Sequence, residues 1–222
     1  MGKRYLFYTF LIISVCWNFK SPAQIDSTNL PLFIIDTGGS HIVDEPKIEA
    51  NLKIIYNENG YARKSDDPDI YDGNIGVEIR GRYSAMLPQK PYGFETRDSS
   101  GNNLNIPLFH MPPENDWILL ANFNDKTFMR NSLAFELFRQ MGHYAPRTQF
   151  CEVIVNGYYQ GIYVLTEKIK VDKNRIDIAK LTREDNTGDE VTGGYVFKVD
   201  YFDEYNSWES RHPPFEGSTE RV

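Results

Sequence analysis

The clearest hydrophobic pattern of the chain is an alternation of apolar and polar positions near its middle, in residues 76–97. The small or apolar positions on one side are Val77, Ile79 and Gly81, and the charged positions on the other side are Glu78, Arg80 and Arg82. A period of two predicts a half-buried strand. A turn at 84–88 and a second alternating stretch at 91–96 complete a predicted β-ribbon, which we call the central ribbon.

Positive charge is concentrated on this ribbon. Arg80 and Arg82 lie on its first arm, and Lys90 begins its second arm. Guanidinium and ammonium groups held on strands are suited to binding an anion, above all a polyphosphate. The alternative is an ordinary solvated hairpin, because Arg and Lys commonly line exposed strand faces.

Other apolar runs predict the rest of a sheet. Runs at 30–36, 50–56 and 194–200 predict further strands, and a brief apolar run occurs at 118–121. Residues 150–167 predict a hairpin, because Asn156-Gly157 is the best two-residue signal for a type I′ turn. Regular structure is expected to stop at Met111-Pro112-Pro113.

One amphipathic helix is predicted over residues 125–141, with Asn124 or Asp125 as its N-cap and Gly142 as its C-terminal stop. Its apolar stripe consists of Met129, Leu133, Leu137 and Met141, which recur every four residues. Arg130 falls in this stripe and would need an acidic partner or a bound anion if buried; the alternative is a side chain that bends out to water. Together these elements predict an α+β fold: a mostly antiparallel sheet of β-ribbons packed by this one helix.

Composition narrows the functional classes. The chain has 222 residues, with 31 acidic and 24 basic side chains and a formal net charge of -7, so nucleic acid is not an expected partner. A hydrophobic content of 41% is enough for a folded core. Cys16 and Cys151 are the only cysteines, and Cys151 is expected to be a small buried hydrophobe. The four histidines are far apart in sequence, so no metal site is predicted.

The N-terminus has the features of a secretory signal peptide. Lys3 and Arg4 precede an apolar run that ends at Trp17, and small residues that suit signal peptidase follow it. The run is too short for a comfortable membrane span, and an uncleaved anchor is the alternative. We therefore expect a signal peptide at 1–23, a linker at 24–29, and a secreted or cell-surface protein without a transmembrane segment after signal removal.

Seven motifs occur along the chain in an order that is far more specific than any one of them. They are Gly76-Val-Glu-Ile-Arg-Gly-Arg, Pro88-Gln-Lys-Pro-Tyr, Glu114-Asn-Asp-Trp-Ile-Leu-Leu-Ala-Asn, Asp125-Lys-Thr-Phe-Met-Arg-Asn, Val155-Asn-Gly-Tyr-Tyr-Gln-Gly-Ile-Tyr, Thr166-Glu-Lys-Ile and Gly193-Gly-Tyr-Val-Phe. This series resembles the CotH kinases, a family named for a bacterial spore-coat protein. The resemblance covers residues 30–203.

The resemblance implies a secreted, atypical protein kinase with a two-lobed fold distantly like that of other kinases. It implies MgATP as cofactor and protein Ser/Thr hydroxyls as acceptors, with Lys90 holding the nucleotide phosphates beside Arg80 and Arg82. It also implies that Glu136, on the predicted helix, pairs with this lysine. Glu167 ends the strand that resembles the one approaching the nucleotide cleft.

The chain also departs from the family pattern. Ser84-Ala85 and Gln89-Lys90 stand where the family often has two serines and two lysines. The later family segment, with its Asn-x-Asp and Trp-Asp-x-Asp motifs for the catalytic carboxylate and the metal-binding aspartate, is not found, and 204–222 has the composition of a polar tail. The sequence therefore predicts the N-terminal portion of a kinase domain, inactive by itself. The alternatives are a non-catalytic extracellular binding module on the same scaffold and a truncated product that folds incompletely.

Overall fold

A computed structural model describes residues 25–196, and the chain divides into two compact units. The first unit comprises Met1–Lys126 and Gln149–Leu165, and the second comprises Thr127–Thr148 and Thr166–Val222. The central ribbon therefore belongs to the first unit.

Eleven strands and three short helices make up the described part of the chain. The strands are β1 (Ser27–Thr28), β2 (Leu32–Asp36), β3 (Ile48–Ile55), β4 (Ala62–Arg63), β5 (Tyr71–Ile79), β6 (Tyr92–Arg97), β7 (Ile106–Leu108), β8 (Met111–Glu114), β9 (Asp116–Leu120), β10 (Thr148–Val155) and β11 (Tyr158–Glu167). The helices are α1 (Tyr83–Met86), α2 (Arg130–Gln140) and α3 (Asp189–Thr192).

Seven of these strands form a closed barrel in the order β10-β11-β9-β6-β5-β3-β2. The pairs β2–β3, β3–β5, β5–β6 and β6–β9 are antiparallel, which confirms the predicted mostly antiparallel sheet. β10 pairs with β2 in parallel, with Glu152 opposite Leu32 and Val155 opposite Ile35. This pairing between distant parts of the chain closes the barrel, and the sequence analysis did not anticipate it.

Alternate residues of the barrel strands form the core. Its buried members include Phe33, Ile35, Leu52, Ile54, Ile75, Val77, Phe94, Trp117, Leu119, Cys151, Val153, Tyr163 and Leu165. Each fully buried large apolar side chain contributes about 1.5–3 kcal/mol relative to an exposed one. Cys151 has a free thiol and is fully buried, and burial raises the pKa of that thiol. The expectation of a small buried hydrophobe is confirmed.

The predicted central ribbon is formed by β5 and β6. Val77 pairs with Phe94, and both side chains are buried, as the alternation predicted. β5 ends at Ile79, so Arg80 and Arg82 lie just beyond the strand. The predicted turn at 84–88 begins as the short helix α1.

Helix α2 is shorter than predicted, and its apolar stripe is exposed. None of its side chains is buried, and Met129, Leu133, Leu137 and Met141 are each half exposed or more. The burial expected for this stripe is therefore not seen. Periodicity identifies the residues that share a helix face but does not show that anything covers them. Arg130 is exposed, so it is not a buried charge.

Three local expectations also differ from the structure. Met111-Pro112-Pro113 lies in β8, which pairs with β7; a two-stranded ribbon has outer edges on which proline is tolerated. The expected linker at 24–29 contains β1, which pairs with β4. Residues 194–196 form no strand, and the rest of the strand expected at 194–200 lies outside the described residues.

The expected signal peptide at 1–23 and polar tail at 204–222 also lie outside the described residues. Within 25–196, no helix is long and apolar enough to cross a membrane.

Candidate functional site

The Gln89-Lys90 segment, just before β6, is anchored to β11 by both of its residues. The side-chain amide of Gln89 donates hydrogen bonds to the carbonyl oxygens of Ile162 at 2.9 Å and Gln160 at 3.3 Å. The hydroxyl of Tyr163 donates to the carbonyl oxygen of Lys90 at 2.8 Å. Because the side chain of Tyr163 is fully buried in the barrel, its hydroxyl has a fixed position and holds the main chain of Lys90.

Local packing fixes this anchor. The ring of Tyr163 stacks on that of Tyr92, with centroids 6.0 Å apart and planes inclined by 24°. Gly161 has a φ of +105°, and a Cβ there would lie 3.2 Å from the amide nitrogen of Gln89. Glycine therefore allows both the backbone conformation and the close approach of the Gln89 side chain.

Arg80 lies across the ribbon from the segment that carries Lys90. Its backbone N–H donates to the carbonyl oxygen of Pro91 at 3.0 Å, one residue pair beyond the end of β5. Gly81, with a φ of +87°, then turns the chain into α1. Hydrogen bonding of the ribbon thus brings Arg80 and the Lys90 main chain to the same end of the ribbon.

The charged side chains at this end differ in their surroundings. The ammonium of Lys90 donates to the carbonyl oxygen of Ala85 in α1 at 2.8 Å, and no carboxylate of residues 25–196 forms a salt bridge with it. Arg80 is partly buried, and this burial lowers the pKa of its guanidinium, while the charge of Glu78 acts in the opposite direction. Arg82 is exposed. A guanidinium keeps its positive charge near pH 7 even when it is partly desolvated.

Glu167, at the end of β11 in the second unit, lies in a buried ion cluster. One carboxylate oxygen accepts a hydrogen bond from Arg147 Nη1 at 2.7 Å, and the other accepts from the Arg147 backbone N–H at 2.8 Å. Arg175 Nε lies 3.9 Å from the first oxygen, and the side chains of Glu167 and Arg175 are both 1% exposed. Both carboxylate oxygens are therefore occupied within the protein, so any role of this side chain in nucleotide binding would be to hold its strand in place.

The same cluster contains a buried hydroxyl that has no hydrogen-bond partner among the residues that the structure describes. This hydroxyl belongs to Tyr144, and burial followed by the charge of Glu167 raises its pKa to about 12. Two arginines also bind main-chain carbonyl oxygens of nearby segments of the same chain. Arg147 Nη1 donates to the carbonyl oxygen of Asn174 at 3.3 Å, and Arg175 Nη1 donates to that of Lys168 at 2.6 Å. Glu167 therefore organises the chain on either side of β11.

Glu136, also in the second unit, is exposed on α2. Its carboxylate forms an ion pair with Arg139 and accepts a hydrogen bond from Gln140 at 3.0 Å. The hydrogen bond from Gln140, followed by the hydrogen bond and the positive charge of Arg139, lowers the pKa of this carboxyl. These contacts lie along one helix face, and the pairing of Glu136 with Lys90 stays a prediction.

The described residues suit a polyphosphate better than a metal ion. Lys90 and Arg80 are the donor types that bind phosphate oxygens. Within residues 25–196, no group of three or more His, Cys, Asp or Glu side chains could hold a metal ion. Mg²⁺ usually binds to a protein through one or two carboxylates together with the phosphates of its nucleotide.

A family model described as CotH kinase protein matches residues 77–220, which is more than half of the chain. The chain belongs to the CotH kinase family. Comparison with curated proteins finds no significant match. The match begins in β5 of the central ribbon, so the CotH domain includes the Lys90 segment and the β10–β11 hairpin that anchors it.

The sequence analysis missed several residues that organise this CotH domain. Tyr163 and Gln89 belong to two of the family motifs, but their hydrogen bonds form only because β11 packs beside the Lys90 segment. Arg147 and Arg175 carried no motif at all. Their one available signal was that Glu167, an acidic residue ending an apolar strand, would need cationic partners if buried.

Proposed function

We propose that this CotH-family chain binds MgATP at the Lys90 end of the central ribbon, as part of a secreted, atypical protein kinase. Bound MgATP would supply the γ-phosphoryl group for transfer to a protein Ser or Thr hydroxyl. Lys90 and Arg80 would bind phosphate oxygens and neutralise their charge, which is the main contribution a protein makes to phosphoryl transfer. Arg82, exposed at the same end, would add a third cation.

One observation carries the proposal: the main chain of Lys90 is fixed by the buried hydroxyl of Tyr163, while its ammonium forms no salt bridge with residues 25–196. A lysine held at its backbone, with its charge bonded only to a carbonyl, can exchange that carbonyl for a phosphate oxygen at little cost. Glu167, with both oxygens occupied, is proposed to position the end of β11.

A second candidate is a non-catalytic extracellular binding module on the same scaffold. The exposed apolar stripe of α2 favours it, because a row of half-exposed Met and Leu side chains is typical of a surface that binds another protein. This candidate predicts no affinity for MgATP.

The deciding experiment is thermal unfolding of the chain with and without MgATP. Ligand at about 100 times its dissociation constant stabilises by about 2.7 kcal/mol, or several degrees for a protein of this size. The shift should disappear in Lys90→Met. It should persist in Lys53→Met, which removes the same charge from an exposed side chain of β3.

Each result has one meaning. A shift that Lys90→Met retains would disprove the assigned role of this lysine. A cooperative transition without any shift in the wild-type chain would disprove nucleotide binding and favour the binding module. Transfer of label from γ-labelled ATP to a general protein acceptor such as casein would separately test kinase activity.

A further inference from the structure

Helix α1 leaves two large side chains in solvent. None of its four residues is buried, and Tyr83 and Met86 are 62% and 72% exposed. Ser84 and Ala85, which lie between them in sequence, are partly covered. Residues three apart share one face of a helix, so Tyr83 and Met86 lie side by side on the outer face of α1. We call these two side chains the Tyr83–Met86 patch.

The inner side of α1 fits closely against the end of the central ribbon. A Cβ at Gly81, which has a φ of +87°, would collide with the hydroxyl oxygen of Ser84. Glycine therefore permits both the turn into α1 and the close approach of Ser84. The ammonium of Lys90 donates to the carbonyl oxygen of Ala85 at 2.8 Å. Because these contacts use the middle residues of α1, Tyr83 and Met86 point away from the ribbon.

The Tyr83–Met86 patch lies next to the cations proposed to bind phosphate. Ala85, whose carbonyl binds the Lys90 ammonium, directly precedes Met86. Arg80 is separated from α1 only by the turn at 81–82. A helix of four residues is about 6 Å long, so the whole of α1 lies within about one turn of the carbonyl that binds Lys90. The patch and both cations belong to the first compact unit.

A nucleoside triphosphate needs both kinds of surface. Its phosphates bind cations, whereas its base is a flat aromatic ring joined to the phosphates through a ribose. Bases stack on tyrosine rings, and the polarisable sulfur of methionine makes favourable contacts with aromatic rings. An exposed tyrosine and methionine beside two cations therefore match a nucleotide better than an inorganic polyphosphate, which has no ring.

We propose that the Tyr83–Met86 patch binds the adenine base of the nucleotide whose phosphates contact Lys90 and Arg80. Tyr83 stacks on the base, and Met86 packs against the same ring. The inference rests on the proposed function for the position of the phosphates. It adds to that function the residues that distinguish a nucleotide from a bare polyphosphate.

Calorimetry with two ligands, MgATP and inorganic tripolyphosphate with Mg²⁺, tests the inference. Tyr83→Ala should weaken MgATP binding about tenfold, the size expected when one stacking ring is removed, and should leave tripolyphosphate affinity within about twofold of wild type. Tyr83→Phe retains the ring and should keep the wild-type affinity for both ligands. Tyr158→Ala is the matched control, because Tyr158 is 61% exposed in the same unit, and it should change neither affinity. The substituted side chains are exposed, so all variants should unfold at the wild-type Tm.

The outcomes separate the base from the phosphates. Wild-type MgATP affinity in Tyr83→Ala would overturn the inference and would favour a protein partner as the occupant of the patch. Equal losses for MgATP and tripolyphosphate would also overturn it, because the ring would then act on the phosphate end. Lys90-dependent binding of both ligands that Tyr83→Ala leaves unchanged would disprove only the base contact. A wild-type chain that binds neither ligand would disprove the proposed function, and the inference with it.

Discussion

Removing one buried hydroxyl, in Tyr163→Phe, tests whether β11 holds the main chain of Lys90. The phenylalanine ring retains the stacking on Tyr92 and fills the same space in the barrel core. The variant loses the 2.8 Å hydrogen bond to the Lys90 carbonyl oxygen and leaves that carbonyl without its partner. The same hydroxyl also interacts with the side chain of Tyr92, so the measured effect on stability belongs to the Tyr163 hydroxyl with both partners.

The structure sets the expected magnitude. A hydrogen bond of this kind contributes about 1 kcal/mol net, and leaving the carbonyl unsatisfied raises the cost to about 1–2 kcal/mol. For a domain of this size that corresponds to a loss of about 2–8 °C in Tm. Because the lost bond fixes Lys90, we also expect MgATP to bind less tightly to Tyr163→Phe than to the wild-type chain.

The assay is urea unfolding and thermal unfolding of the wild-type chain and two variants. Tyr158→Phe is the matched control, because it removes a hydroxyl from an exposed tyrosine of the same strand. Its stability should stay within about 0.5 kcal/mol of wild type. Equal stability of Tyr163→Phe and Tyr158→Phe would refute the anchoring role. A destabilised Tyr163→Phe with wild-type MgATP affinity would show that the bond stabilises the fold without positioning Lys90.

Two further predictions follow from buried groups. Glu167→Gln should lower the free energy of unfolding, measured in urea, by about 3 kcal/mol, because it leaves Arg147 and the buried Arg175 near an uncharged amide. Glu136→Gln, on the exposed face of α2, is the control and should have a much smaller effect; equal losses would contradict the buried cluster. The raised pKa of the Cys151 thiol means that the folded state keeps a proton that the unfolded state releases, so stability is full below about pH 8.5 and falls as the pH rises further. Cys151→Ala should lose this part of the alkaline pH dependence, and an unchanged pH profile in that variant would refute the assignment.

Local patterns in the sequence predicted a large part of this structure. The alternation around Val77 and Phe94 identified both arms of the ribbon, because period-two burial is a property of each strand by itself. Asn156-Gly157 located the β10–β11 hairpin, because the turn needs the backbone conformations these two residues favour. The ordered series of motifs identified the CotH family, which the family model confirms.

Contacts between distant segments were decided only by the tertiary structure. The parallel pairing of β2 with β10 closes the barrel, but nothing in either strand specifies a partner more than a hundred residues away. The stripe on α2 shows the same limit, since periodicity indicated its apolar face and not its exposure. Lys47 had no motif, yet it lies between Glu78 and Glu95, because side-chain charges from separate strands meet only when the sheet forms. The sequence thus determined many of the elements and the family, whereas the barrel determined which side-chain charges are paired.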